Sequence, residues 1–328
     1  MEEKIVLNKL NRVNSFTYFK RSWMLYLMLL LPMAFFIVFR YIPMTNIVIA
    51  FKNYNMFQGV WATNAHPCPE SGHTIACSHW VGFDWFKVAF ASRDFWNAIR
   101  NTLWLNFLDL LFGFPAPIIL ALILNELVFK KFKRVTQTII YLPHFLSWII
   151  VSSIATRLLA TSTGVVNIFL TETVGVGPID FLMDKAKWVA TYITFGVWKD
   201  MGWGTIIYLA AITGINPELY EAAEVDGAGR WRKLWNVTLP GIRPTIIVLL
   251  IMNIGRILGI ELDRPWTMMN NIVIEVADVI STLVYRVGIR SFQFSLTAAI
   301  GLFQSVICVV FLVGANTLAK KFGERGIW

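Results

Sequence analysis

Six apolar stretches constrain this chain more than any other feature. A helix that crosses the hydrocarbon layer needs roughly 20 mainly apolar residues. Trp23–Phe39, Ala98–Leu124, Val135–Ala160, Trp188–Ile212, Gly241–Leu262 and Phe294–Ala319 all approach that length. In lipid a stretch must satisfy its own backbone polar groups, so each is expected to be a helix. The predicted fold class is an all-α integral membrane protein with six transmembrane helices. Composition agrees, since 56% of residues are hydrophobic and 15% charged, against about 25% charged in soluble domains. With 3 Cys and no glycine period, a disulfide framework and a collagen are excluded. The formal charge of +9 does not call for nucleic acid, because basic residues gather on cytoplasmic loops and face anionic lipid.

The spans are not uniformly greasy. Asn106, Asp109, His144, Arg157, Lys199, Asp200, Asn253, Arg256 and Gln304 sit within or near them. Such groups are costly in hydrocarbon and should face other helices or a wet cavity. A bundle around a pathway follows more naturally than a simple anchor. The first stretch does not read as a removable signal, because polar and basic residues precede it and no small-residue cleavage pattern follows.

Lysine and arginine set the orientation. Lys4, Lys9, Arg12, Lys20 and Arg21 fall on one side, with Lys130, Lys131, Lys133 and Arg134, then Arg230, Arg232, Lys233 and Arg243, then Lys320, Lys321 and Arg325. The loops of the other side, with Arg264, Arg286 and Arg290 among their few cations, are poorer in charge. The first side is therefore read as cytoplasmic, with both termini inside. The expected organisation is a cytoplasmic segment 1–22, a membrane domain 23–319 with an outer loop 40–97, and a cytoplasmic tail 320–328. No internal repeat or low-complexity linker is evident.

The segment Asn216–Pro240, NPELYEAAEVDGAGRWRKLWNVTLP, lies between the fourth and fifth spans. Asn216 suits a helix N-cap, Pro217 the first helical position, and Glu218 the positive helix end. Gly227 can end that helix in the left-handed conformation. Arg230–Val237 predicts a second short helix with Trp231, Leu234 and Trp235 on one face, and Pro240 a break before the next span. Ala222 and Ala223 keep one side thin enough to seat in a groove of another protein, with Glu221 and Glu224 beside it. The plainer alternative is a capped helix that only joins two spans. The length of the loop favours a partner surface.

This segment resembles the EAA loop of binding-protein-dependent ABC importer permeases. That pattern is E-A-A, three residues, G, nine residues, I-x-L-P. Here Glu221-Ala222-Ala223, Gly227 and Val237-Thr238-Leu239-Pro240 stand at matching spacing, with Val237 in place of Ile. Leu142-Pro143, Val197-Trp198-Lys199-Asp200-Met201-Gly202-Trp203 and the terminal Lys320–Trp328 resemble the carbohydrate-uptake branch, and more narrowly its permeases for alginate-type or pectin fragments. The resemblance implies a type I importer fold like that of the maltose permeases. It implies a second homologous permease subunit, two ATPase subunits docked on the EAA loops, and an extracytoplasmic solute-binding protein, all in a bacterial inner membrane. It further implies that Glu221, Ala222, Ala223, Asp226, Gly227, Leu239 and Pro240 form the ATPase-coupling contact. No cofactor is expected on this chain, with ATP and Mg on the partner ATPases. The chain has no G-x-x-x-x-G-K-[ST] sequence.

Lys199, Asp200, Asn253 and Arg256 are the candidate substrate-path residues, with interhelical pairing as the alternative role. Aromatic neighbours such as Trp198 and Trp203 would suit a sugar. Basic groups near the path would suit a uronate-rich, acidic fragment, although Gly259–Asn271 departs from the more apolar and aromatic stretch of that branch. In the outer loop, His66, Cys68, His73, Cys77 and His79 raise a zinc site. The spacing is a poor match, and the compartment favours a Cys68–Cys77 disulfide over free thiols or a metal. His144 could carry protons, but bonding to a neighbouring helix is the simpler expectation. An ion-gradient-driven secondary transporter is the rival function and predicts internal repeats. A membrane enzyme is the other, but no H-E-x-x-H or G-x-S-x-G sequence occurs.

Overall fold

The computed structural model describes residues 15–56, 59–61, 79–321, 323 and 326–327. Cys68 and Cys77, the expected disulfide, lie outside the described residues, as do His66 and His73. Contacts divide the chain into two units, Met1–Gly82 and Phe83–Trp328. Among the described residues every regular element is helical, and the one extended pairing is an isolated antiparallel bridge between Lys52 and Trp80.

In the first unit α1 (Ser15–Phe36) continues through a π turn at Ile37–Tyr41 and a 3₁₀ turn at Thr45–Phe51. Ser22–Phe51 forms one apolar rod of 30 residues with none of its apolar window buried, longer than the expected 23–39. Its leucine, methionine and phenylalanine side chains as far as Met44 stand exposed, as suits a helix solvated by lipid.

The second unit begins with α2 (Asp84–Ala91). α3 (Arg93–Leu108) then runs through a π turn, Asp109–Gly113, into α4 (Pro115–Asn125). The expected third span is not one rod. α5 (Lys130–Tyr141) ends in a 3₁₀ turn at Leu142–Phe145, and α6 (Trp148–Leu159) departs at 101°. Pro143 lacks the N–H that would continue α5. Ser147 then caps α6 by accepting from the Ile150 N–H at 3.4 Å. After α7 (Val165–Phe169) comes α8 (Lys185–Thr213), 29 residues capped by Asp184. α9 (Pro217–Val225) and α10 (Arg230–Lys233) make the loop. The Pro240 break does not occur. A π turn at Leu234–Thr238 joins α10 to α11 (Leu239–Gly255) in a continuous apolar helix, Arg230–Gly255. The wider turn accommodates a ring that would clash with a regular one.

The expected fifth span also stops early, at Gly255 rather than Leu262. An irregular segment leads to α12 (Asp263–Met268), α13 (Ile274–Ala277) and α14 (Ile280–Val284), and α15 (Phe294–Lys321) closes the unit. Among the described residues four helices qualify as spans by length and composition, or five with the bent pair counted as one. α8 is long enough but too polar to qualify, so the expected count of six is not matched exactly by this measure.

α8 is the central post. Trp188, Tyr192 and Ile193 pack with Leu105, Val273 and Val279, while Tyr208 and Ile212 pack with Ala121 and Ile242. Glycines let its neighbours approach closely. A Cβ on Gly202 would fall 2.2 Å from the Ile140 carbonyl oxygen, and one on Gly204 2.9 Å from Pro117. Small residues at such crossings are the usual means of close packing in membranes.

Candidate functional site: a polar cavity along α8 and an exposed helical elbow

A cavity of about 600 Å³ lies between α3, α4, α8, α11 and the 142–148 bend. Lys199, Asp200, Asn253 and Arg256 all line it. Trp203 does as well, but Trp198 faces a separate apolar groove with Leu108, Phe112 and Ile193. α8 therefore has a polar working face and an apolar back.

Most of the cavity's charge is internally matched. Lys199 donates to the His144 carbonyl at 2.9 Å and lies 3.7 Å from Asp200. His144 shares a 3.0 Å contact with Asp200 through Nδ1, and its ring lies parallel to Trp203 at 4.8 Å. His144 thus bonds to the neighbouring helix, and one face of Trp203 is covered. These contacts fasten the bend of the broken span to the middle of α8.

A second ion pair was not legible as such. Arg264, placed by the sequence in an outer loop, enters the cavity wall. It donates to both carboxylate oxygens of Asp109, at 2.7 and 3.1 Å, and to the Tyr192 carbonyl at 2.8 Å. Its guanidinium lies 3.8 Å from the Tyr192 ring centre and 5.3 Å from that of Trp148. Gly196 makes the seat, since a Cβ there would stand 2.1 Å from Arg264 Nη2. Asp109 reads in the sequence as a polar residue in a span, but 155 residues separate it from Arg264 and no spacing rule links them.

The break after α11 is held by side-chain amides. Asn106 donates to the Ile257 carbonyl and Gln304 to the Leu258 carbonyl, each at 2.7 Å. Irregular backbone at membrane depth is tolerated where such partners exist or where it borders a cavity. Arg256 and Glu261 line the cavity here, and their side chains have no hydrogen-bond or ion-pair partner among the described residues. Asn253 returns one bond to Leu249 O at 2.8 Å. The lining holds Asp109, Asp200 and Glu261 against Lys199, Arg256 and Arg264, so acids and bases balance. No group of three or more metal-binding side chains occurs among the described residues.

The elbow is the second site. Asn216 accepts from the Glu218 N–H at 3.1 Å. Gly227 has φ +72° and ends α9, with Ala228 N–H bonding Ala223 O at 2.8 Å and Gly227 N–H bonding Glu224 O at 3.0 Å. These are the two bonds of a Schellman cap. Tyr220 Oη meets Thr238 Oγ1 at 3.0 Å and Lys233 pairs with Glu224 at 2.8 Å, tying the two arms. Lys233 holds the Glu224 carboxyl below its ordinary range, by hydrogen bond first and charge second. Glu221, Ala222, Asp226 and Gly227 are exposed and Ala223 half-exposed. Trp231 and Trp235 are exposed too, while Leu234 is partly buried. Leu239 is partly covered and Pro240 exposed where α11 begins.

Several apolar helices, a charged internal cavity and a capped elbow fit a transport component of a membrane. Residues 113–323 match the family described as binding-protein-dependent transport system inner membrane component, and the chain belongs to it. Protein LplB of Bacillus subtilis (strain 168) is 45% identical over 94% of this chain and 92% of its own length. The polygalacturonan/rhamnogalacturonan transport system permease protein YteP of the same organism is 42% identical over 93% and 90%. Among solved structures, a chain of a bacterial ABC transporter involved in import of the acidic polysaccharide alginate is 40% identical, with a TM-score of 0.81 over 93% of this chain and 98% of that one. A chain of a bacterial alginate ABC transporter in complex with alginate pentasaccharide-bound periplasmic protein is 39% identical, with a TM-score of 0.83 over 95% and 99%. The fold is thus that of an ABC importer permease, and the chain is a transport subunit rather than an enzyme. Nothing in these matches supports an ion-gradient-driven transporter.

Proposed function

We propose that this chain forms half of the translocation path of an ATP-driven importer for an oligosaccharide or polysaccharide fragment. The observation that carries the reading is one cavity lined by Lys199, Asp200, Asn253 and Arg256 in a chain of this family. The pectin- and alginate-transport names of its relatives support the cargo class. A second permease subunit supplies the other half, and two ATPase subunits bind ATP and Mg. A solute-binding protein delivers the sugar from outside, as the complex of the alginate importer suggests. The elbow faces the cytoplasm, both termini lie inside, and segments 1–22 and 320–328 flank the membrane domain. Glu221, Ala222, Ala223, Asp226, Gly227, Leu239 and Pro240 make the ATPase contact. The elbow supports this role because it is exposed yet internally braced.

An acidic cargo is favoured by Arg256, whose charge no described neighbour takes up, although the balanced lining also admits a neutral one. Mild solubilisation should co-purify the ATPases and the second permease, and sugar-loaded binding protein should stimulate hydrolysis. Gly227→Asp should leave the spans folded while separating hydrolysis from uptake. Normal coupling in that variant would remove the elbow from the mechanism. Uptake of acidic fragments that is indifferent to Arg256→Ala would remove that residue from the path.

A further inference from the structure

We infer that α5 is an anchor for anionic phospholipid. Its sequence, KKFKRVTQTIIY, places Lys130, Lys131, Lys133 and Arg134 in the opening turns. None of the four has an ion-pair or side-chain hydrogen-bond partner among the described residues, and nearby Glu126 forms no pair with them. Cations at this end of a helix oppose its dipole, so the cluster carries a local cost that nothing among the described residues offsets.

The helix has no fully buried residue. Its inner side is spent on α8, where Ile140 O crosses Gly202. The outer side carries two adjoining strips. Lys130, Lys131 and Arg134 form one, and Phe132, Val135 and Ile139, at helical spacing, form the other, all exposed. A cationic opening beside an apolar strip is the signature of a helix that enters the bilayer through the headgroups, with phosphates at its first turns and acyl chains along its apolar margin. The 101° bend to α6 gives α5 a direction of its own. An acidic protein surface would meet the cations but leave the phenylalanine, valine and isoleucine uncovered, so the bilayer is the better occupant.

The consequence reaches the cavity. The far end of α5 runs into the turn holding His144, which receives Lys199 and meets Asp200. Lipid bound along α5 therefore steadies the bend that forms one cavity wall.

The test uses the assembled importer in vesicles of phosphatidylcholine alone or with phosphatidylglycerol. Thermal midpoint and sugar-stimulated hydrolysis are both read, and the first does not depend on the transport reading. The wild type should gain stability and turn over several-fold faster with phosphatidylglycerol. A cation at an anionic surface is worth about a 5-fold gain in partitioning, so Lys130→Gln, Lys131→Gln and Arg134→Gln together should abolish the lipid gain while matching wild type in phosphatidylcholine. Lys130→Arg with Lys131→Arg should retain it. A wild type indifferent to phosphatidylglycerol overturns the inference. So does a triple variant that keeps the gain, or one that loses activity equally in both lipids, which would mark a protein partner.

Discussion

Removing the Asp109 carboxylate should expose how far the cavity wall depends on one ion pair. Asp109→Ala strands the Arg264 guanidinium, which loses bonds of 2.7 and 3.1 Å and keeps only the Tyr192 carbonyl and its aromatic seat. Breaking a buried pair costs about 3–5 kcal/mol, whereas an exposed one is worth about 0–1 kcal/mol. The Arg264 side chain is 12% exposed and that of Asp109 26%, so the cavity's water recovers part of the loss. A cost of about 2–3 kcal/mol follows. At roughly 2–4 °C per kcal/mol for a unit of this size, the thermal midpoint should fall by about 4–12 °C. Tryptophan fluorescence of the complex in nanodiscs reads it directly. The paired replacement Asp109→Leu with Arg264→Met should recover much of the loss, because neither charge is then stranded. A midpoint within about 1 °C of wild type for Asp109→Ala, or a double variant worse than both singles, would refute the reasoning.

Asn106→Leu should strand the Ile257 carbonyl at the break and cost about 1–3 kcal/mol. Faster amide exchange confined to residues 256–262 would check it. Gly202→Val must push the Ile140 backbone away from α8, since even a Cβ would fall 2.2 Å from its oxygen. Loss of assembled complex is expected, and normal yield with an unchanged midpoint would contradict the contact. The Glu224–Lys233 brace stabilises the elbow most above the ordinary carboxylate pKa and is lost as pH falls through the lowered one. Protease protection of the elbow should therefore exceed that of Glu224→Gln at neutral pH and converge with it in acid.

The parts legible in the sequence were those written in local chemistry. The elbow's caps, from Asn216 through Gly227, stand within a few residues of what they cap and formed as expected. Apolar length located the spans but not their interruptions. At Pro143 the missing donor ended α5, whereas at Pro240 a wider helical turn absorbed the same defect. The difference lies in the surrounding backbone, which residue type alone does not report. In the sequence Arg264 falls in a loop, because the apolar run that opens with α11 extends to Leu262. Once that helix stops at Gly255, the following residues turn inward, and a loop cation becomes part of the cavity wall. The amides of Asn106 and Gln304 were visible as polar anomalies, but their carbonyl partners are set only by tertiary packing.

The uninterrupted run from Arg230 to Gly255 has a mechanical meaning. At 1.5 Å per residue, its 26 residues make a lever of about 39 Å. Tilting one tip by about 5° would carry the other by roughly 3 Å, about the span of a hydrogen bond. One tip lies at the exposed Trp231 and the other ends beside Arg256, so under the proposed function a push on that indole is transmitted to the cavity lining.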